Sequence, residues 1–152
     1  MKKLQFKKEI KASAEKVYET MLGLKDKATY EFWVKVFNPT STYEGEWSAG
    51  SKIRFIGTDE NGKRAGMVSE VVQNIPAQFV SIRHYGFLDG DTEITTGEQV
   101  EKWAGGHENY SFQENNGSTT VTVEMDIIEE YLDYFADAYP KALEKLKEIS
   151  EK

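Results

Sequence analysis

One long amphipathic helix is predicted at the end of the chain, after about ninety residues typical of strands and turns. Its apolar residues recur every three or four positions and form one continuous stripe. They are Ile128, Tyr131, Leu132, Phe135, Ala138, Tyr139, Ala142, Leu143, Leu146 and Ile149. An antiparallel sheet has one face to bury, and only this helix is long enough to cover it. The sequence therefore predicts a bent sheet that grips one helix and leaves room for a pocket between them.

A strand and two short helices are predicted before the main run of strands. Residues 4–10 alternate apolar and polar side chains, except that Lys8 occupies an apolar position. Ser13 is the predicted N-cap of a first helix, which Gly23 ends. A second helix is predicted over residues 25–37, because its apolar side chains are spaced three and four apart before Asn-Pro stops it.

Six strands are predicted between these helices and the terminal helix, at residues 42–47, 52–57, 65–75, 77–85, 108–114 and 119–127. The last of them alternates apolar and polar side chains most regularly. The order of elements is therefore β-α-α-β6-α, in one α+β domain over residues 1–152. Pro140 lies inside the terminal helix, and a mid-helix proline predicts a kink or two abutting helices there.

The composition excludes several classes of protein. The chain has no cysteine, which rules out disulfides, thiolate metal sites and a cysteine nucleophile. Its net charge of −7 argues against binding to nucleic acid. No apolar stretch reaches the ~20 residues of a membrane span, and the first residues lack the apolar run of a signal peptide. We therefore expect a cytoplasmic protein without membrane insertion.

Neither a metal nor a cofactor is predicted. The two histidines, His84 and His107, lie far apart and lack nearby ligands for zinc. Residues 89–93 alternate oxygen ligands as a calcium loop does, but the sixth and twelfth positions are Ile94 and Val100. An EF-hand needs glycine and glutamate there. No glycine-rich loop stands between a strand and a helix, as a phosphate-binding loop requires.

Aromatic side chains are the best candidates for the lining of a pocket. The chain has 3 Trp, 8 Tyr and 8 Phe, and seven of these fall between Tyr30 and Phe55. Buried Tyr and Trp need hydrogen-bond partners, which favours a partly polar pocket over a dry core. The side chains predicted to contact a small apolar or aromatic ligand are Trp33, Phe37, Trp47, Phe55, Tyr110, Tyr131 and Phe135. Ordinary packing in the core is the alternative for each of these rings.

His84 and Glu108 are the candidates for acid–base catalysis. His84 is in phase with Val80 and Ile82 on its strand. Glu108 is in phase with Tyr110 on the strand expected beside it. If both phases face inward, the imidazole and the carboxylate meet at the mouth of the pocket, as a general base and its orienting partner require. The alternative is a hydrogen-bonded histidine at a strand end.

The segment of residues 86–106 is a candidate lid. Five of the twelve glycines lie in it or bound it. Thr96 and Gln99 predict the cap of a short helix whose apolar side is Val100 and Trp103. A small amphipathic helix between glycine hinges is typical of a lid over a pocket. A packed surface excursion is the alternative.

Several segments resemble a known superfamily. They are WVKVF at residues 33–37, GEWSAGS at 45–51, GMVSEV at 66–71 and YPKALEKLK at 139–147. In this order they resemble the START and Bet v 1-like (SRPBCC) superfamily, in its branch related to the activator of Hsp90 ATPase. The resemblance implies a helix-grip fold, with a cavity between sheet and long helix that takes up lipids, sterols, polyketides or other apolar molecules. It implies no shared catalytic residue.

Three functions follow from the residues and the resemblance together. The first is binding of a small apolar or aromatic molecule in the cavity. The second is a cyclase- or dehydratase-type enzyme that uses His84 and Glu108. The third is an interaction protein that binds an Hsp90-type chaperone, for which the sequence offers no motif beyond the general resemblance. Residues 86–106 form a longer and more acidic connection than the resemblance implies.

Overall fold

The structure, a computed structural model, describes residues Met1–Lys152 and contains eight strands and four helices. In chain order these are β1 (Lys2–Ile10), α1 (Ala14–Leu22), α2 (Lys27–Val34), β2 (Thr42–Gly45), β3 (Lys52–Thr58), β4 (Arg64–Ile75), β5 (Phe79–Asp89), β6 (Thr92–Ile94), α3 (Glu98–Glu101), β7 (Gly106–Asn115), β8 (Ser118–Ile127) and α4 (Glu129–Ser150). The predicted α+β architecture is confirmed: a curved antiparallel sheet packs against one long C-terminal helix.

The strands form one antiparallel sheet in the order β1-β8-β7-β5-β4-β3-β2, with β6 paired to β5 beside this path. The first strand pairs with the last, so that Lys2 lies opposite Ile127 and Ile10 lies opposite Thr119. Helix α4 packs against β1, α1 and α2. The sheet and the helices enclose the core, to which β8 contributes the buried side chains of Val121, Val123, Met125 and Ile127.

The first two helices begin as the sequence predicts. The Ser13 hydroxyl accepts a hydrogen bond from the Lys16 backbone N–H and caps α1. Gly23 adopts φ = 69° at the C-cap, a left-handed conformation that glycine allows without strain. Helix α2 begins after the N-cap Asp26 and is shorter than predicted, because it ends at Val34 and Lys35 is its C-cap.

The secondary structure differs most from the prediction in residues 86–106. Strand β5 continues beyond Tyr85 to Asp89, turns at Gly90, and is followed by the short partner strand β6, which was not predicted. Gly90 adopts φ = 66°, which suits a tight hairpin turn. Helix α3 has only four residues, and its N-cap is Gly97 without a side-chain hydrogen bond, so the cap predicted from Thr96 and Gln99 is wrong.

Helix α4 is continuous through Pro140, so of the two predicted alternatives the abutting helices are wrong and the kink stays a prediction. Proline has no N–H to donate to the carbonyl of Ala136, four residues earlier. Ala136 is exposed, and water can therefore satisfy that carbonyl.

Lys8, the residue out of pattern in β1, is half-buried and its amine pairs with Glu144 on α4.

No helix has both the length and the apolar character that crossing a membrane demands.

Candidate functional site

A pocket of about 800 Å³ lies between the sheet and the helices α2 and α4. Eighteen of its 30 lining residues are hydrophobic. At one end the lining includes Lys102 and Tyr131, whose exposure shows that the pocket opens to solvent there. Elsewhere the wall is formed by the nearly inaccessible rings of Trp33, Tyr110 and Tyr139. The volume and the largely apolar wall are typical of a site for a small molecule.

A polar cluster lies on the wall of this pocket, centred on the Glu108 carboxylate. Glu108 Oε1 lies 3.1 Å from His84 Nε2, and Glu108 Oε2 accepts hydrogen bonds from the hydroxyls of Tyr110, at 3.4 Å, and Tyr139. Strands β5 and β7 are paired and place the His84 and Glu108 side chains on the same face. The two side chains are only 17% and 15% exposed. The predicted convergence of His84 and Glu108 is therefore present in the fold.

A β-bulge at Tyr85 lets His84 and Phe87 both line the pocket. In the pairing of β4 with β5, Ser69 is opposite His84 and Val68 is opposite Gly86, so Tyr85 is the extra residue. An extra residue reverses the alternation of side chains along a strand. His84 therefore points inward before the bulge and Phe87 points inward after it, while Tyr85 packs with a separate small cluster.

Ser69 contacts the second ring nitrogen of His84. Its Oγ lies 2.6 Å from His84 Nδ1, and the serine is completely buried in β4. Both ring nitrogens of His84 therefore have partners, Ser69 on one side and Glu108 on the other. Ser69 does not line the pocket, which makes it a support for the ring and not a nucleophile that a ligand could reach.

Opposing effects act on the pKa of Glu108. Burial disfavours the carboxylate, but the hydrogen bond and electrostatic attraction of His84, with the hydrogen bonds from Tyr139 and Tyr110, outweigh this effect and hold the pKa of Glu108 below the usual value. Burial raises the pKa of Tyr30, Tyr110 and Tyr139 well above the usual range, and the nearby negative charge of Glu108 acts in the same direction. At neutral pH the cluster is therefore one carboxylate surrounded by protonated phenols.

The lowered pKa of Glu108 predicts a contribution to stability that acid removes. A carboxyl group with a folded-state pKa below its unfolded value, about 4.3, stabilises the fold above that pH and ceases to do so as the pH falls through the folded pKa. We expect the stability difference between wild type and Glu108→Gln to shrink between pH 6 and pH 3, measured by urea unfolding. The control, Glu60→Gln at an exposed turn, should show a constant difference. A difference for Glu108→Gln that grows in acid would contradict the assignment.

Six of the seven predicted ligand contacts line the pocket. They are Trp33, Phe37, Phe55, Tyr110, Tyr131 and Phe135. The seventh, Trp47, is buried in the core and is not part of the lining. Its ring packs behind the wall, with centroids 6.5 Å from Tyr30 and 5.8 Å from Phe55. Trp47 lies two residues beyond the end of β2 at Gly45, and only 5% of it is exposed.

The two predicted lid residues have different positions. Trp103 lines the pocket, whereas Val100 is buried at 2% exposure and does not line it. Lys102, next to Trp103, lies 3.9 Å from Glu130 in the first turn of α4. The segment therefore reaches α4 across the open end of the pocket. Whether it moves as a lid stays a prediction.

Three residues of the site, Tyr30, Tyr139 and Ser69, were not among the predicted contacts. Tyr30 and Tyr139 both line the pocket, and Tyr139 is one of the donors to Glu108. The signal for Tyr139 was its place on the apolar stripe of α4, because a phenol in such a stripe needs a buried acceptor. Nothing in the local sequence marks Ser69, since its contact with His84 depends on the register between β4 and β5.

No protein-family model matches the chain, and no curated protein matches its sequence. Solved structures do match its fold. The chain is 21% identical to the Aha1 dimer from Colwellia psychrerythraea, with a TM-score of 0.71 over 99% of this chain and 97% of that one. It has a helix-grip fold. At this identity the likeness shows the fold alone.

Two further bacterial proteins share the helix-grip fold. A protein from Mesorhizobium loti is 12% identical, with a TM-score of 0.69 over 97% of this chain and 95% of that chain. A protein from Nitrosomonas europaea is 12% identical, with a TM-score of 0.71 over 97% and 93%. At these identities the two likenesses again show the fold alone.

Proposed function

We propose that this protein binds a small, largely apolar molecule in the pocket between the sheet and α4. The observation that carries the proposal is the composition of the pocket wall, which is mostly hydrophobic but includes a buried polar cluster. Apolar walls supply affinity, and a few convergent polar groups fix the orientation of a ligand. The likeness to helix-grip structures supports the proposal at the level of the fold.

Apolar contact supplies the affinity in this proposal. Trp33, Phe37, Phe55 and Phe135 present ring surface to the pocket. Each Å² of apolar ligand surface that they remove from water contributes about 25 cal/mol. Phe37 and Phe135 lie next to each other, with ring centroids 5.9 Å apart, and both are only half-buried in the protein. A ligand that covers them gains the burial that they lack.

Binding has more support than acid–base catalysis. A general base needs a lone pair that a substrate can reach, and both nitrogens of His84 have partners inside the protein. The lowered pKa of Glu108 makes its carboxylate a weak base. A cyclase or dehydratase activity of these two residues therefore stays a prediction without further support. Membership of the activator of Hsp90 ATPase branch, binding to an Hsp90-type chaperone and a cytoplasmic location stay predictions in the same way.

Binding is tested by thermal denaturation with a library of fatty acids, sterols, polyketides and aromatic compounds. We expect members of the library to raise the melting temperature, since a ligand that binds only the folded state stabilises it. Phe135→Ala should lower the affinity for such a compound by about tenfold, because it removes ring surface from the pocket wall. Phe79→Ala is the matched control, since Phe79 is also half-buried but does not line the pocket.

The control variant, Phe79→Ala, should bind the same compound as tightly as the wild type does. No melting shift across the whole library, together with no co-purified compound in the native mass spectrum, would be incompatible with the proposed function.

A further inference from the structure

We propose that the ligand of this pocket carries an ammonium group, for which Glu108 is the counter-ion and the surrounding aromatic rings form a cage. This inference rests on the proposed function and adds the charge of the ligand to it. It depends on three features of the pocket: the carboxylate of Glu108, which has no lysine or arginine partner, its remaining capacity to accept a hydrogen bond, and the rings around it.

Glu108 has no lysine or arginine partner in the protein. Its one charged contact is His84, whose Nε2 lies 3.1 Å from Glu108 Oε1. The other ring nitrogen, Nδ1, lies 2.6 Å from the hydroxyl oxygen of the fully buried Ser69. The carboxylate is therefore present in the pocket wall without a permanently charged cation beside it, and an ammonium group can take that place.

Glu108 can accept another hydrogen bond. A carboxylate offers about four acceptor positions, and three donors occupy Glu108 in the protein, namely His84, Tyr110 and Tyr139. Tyr30 also lines the pocket near this carboxylate, and its hydroxyl, unlike those of Tyr110 and Tyr139, makes no hydrogen bond to the protein. An ammonium group has three donors, so it can bond to Glu108 and to the oxygen of Tyr30 together.

The rings around Glu108 suit a cation. Trp33 stands at the centre of an aromatic group, with ring centroids 5.8 Å from Tyr30, 6.4 Å from Tyr110 and 6.4 Å from Tyr139. Faces of Trp and Tyr attract ammonium groups, and the attraction increases when the cation is removed from water. An anionic ligand would meet the Glu108 charge and the same electron-rich faces, both of which repel it.

The other charged groups of the pocket wall do not change this sign. Asp126 lies 3.4 Å from Lys3 and accepts a hydrogen bond from the His107 backbone N–H. At the open end Lys102 and Glu130 pair with each other. Among the carboxylates of the pocket wall, Glu108 alone has no lysine or arginine partner.

The test compares three probes by calorimetry at pH 7.5. They share a naphthalene ring and differ in the charge of the group at the end of a short side chain: 2-(2-naphthyl)ethylamine, 2-(2-naphthyl)ethanol and the anion of 2-naphthaleneacetic acid. We expect the amine to bind at least about tenfold more tightly than the alcohol, and the carboxylate to bind at least about tenfold more weakly than the alcohol. Glu108→Gln keeps the shape and the acceptor for Tyr139 but removes the charge. In this variant the amine and the alcohol should bind within about threefold of each other.

The outcomes separate the two proposals. If the alcohol binds the wild type as tightly as the amine, or the amine retains its advantage in Glu108→Gln, the ammonium assignment is wrong and the proposed binding function stands. If the amine does not bind, the assignment is equally wrong. If the alcohol and the whole compound library also fail to bind, the proposed function is wrong as well.

Discussion

Replacing Trp33 by alanine is expected to lower the free energy of unfolding by about 3–5 kcal/mol. Trp33 is 1% exposed and is among the largest fully buried side chains of the protein. Its ring packs against Phe37 in addition to the three tyrosines of the pocket wall, and its Nε1 donates a hydrogen bond of 2.9 Å to the carbonyl of Met21. The substitution leaves a cavity between α2 and α4 and an unpaired carbonyl at the end of α1. Urea unfolding followed by circular dichroism measures the loss.

Two further variants separate the causes of this loss. Trp33→Phe keeps most of the packing but removes the donor to Met21, and we expect it to cost about 1–2 kcal/mol. Trp103→Ala removes a tryptophan that is only half-buried at the open end of the pocket, and it should cost less than about 1 kcal/mol. A loss below about 1 kcal/mol for Trp33→Ala would mean that this ring does not join the helices as described.

Replacing Gly66 by alanine is expected to cost about 4 kcal/mol or more. Gly66 lies in β4 between Ile56 on β3 and Leu88 on β5, and its φ is 151°. A Cβ atom at this position would lie 1.9 Å from the carbonyl oxygen of Phe55, far inside van der Waals contact. Because the clash is with backbone on a paired neighbouring strand, the sheet itself has to move. We expect a large drop in melting temperature or failure to fold.

Gly97→Ala is the matched control for Gly66→Ala. Gly97 also has a positive φ, 103°, but no atom lies within 4 Å of the position that a Cβ would take. The control therefore measures the conformational strain alone, about 1–2 kcal/mol. Equal losses for the two variants would show that the close approach of Phe55 to Gly66 is relieved at little cost.

The parts of the fold that could be predicted are those in which one face of an element is buried along its whole length. In β8, Val121 and Val123 alternate with threonine, and in α4 the apolar stripe keeps its helical period through Pro140. The same alternation put His84 and Glu108 in phase with apolar neighbours on their strands, and both side chains line the pocket. When one face of a strand or helix is buried, apolar residues recur in the sequence with the period of that element.

The parts that could not be predicted depend on register and on where strands end. The bulge at Tyr85 has no local signature, since it is defined only by the pairing of Ser69 and Val68 across the sheet. Trp47 was predicted to lie in a strand over residues 42–47, but β2 and its pairing with β3 end at Gly45. The cluster around Glu108 joins four elements, so its hydrogen bonds could not be predicted from the spacing of residues within one.

The pairing of β1 with β8 has a consequence for synthesis of the protein. The two strands are separated by more than 100 residues, so β1 leaves the ribosome long before its partner exists. At roughly 5–20 residues per second, β1 stays without its neighbour for at least about 5–20 s. Its lysines, Lys2, Lys3, Lys7 and Lys8, oppose premature association of this strand with other nascent chains during that interval. Closure of the sheet, and with it completion of the pocket, therefore waits until β8 has been synthesised.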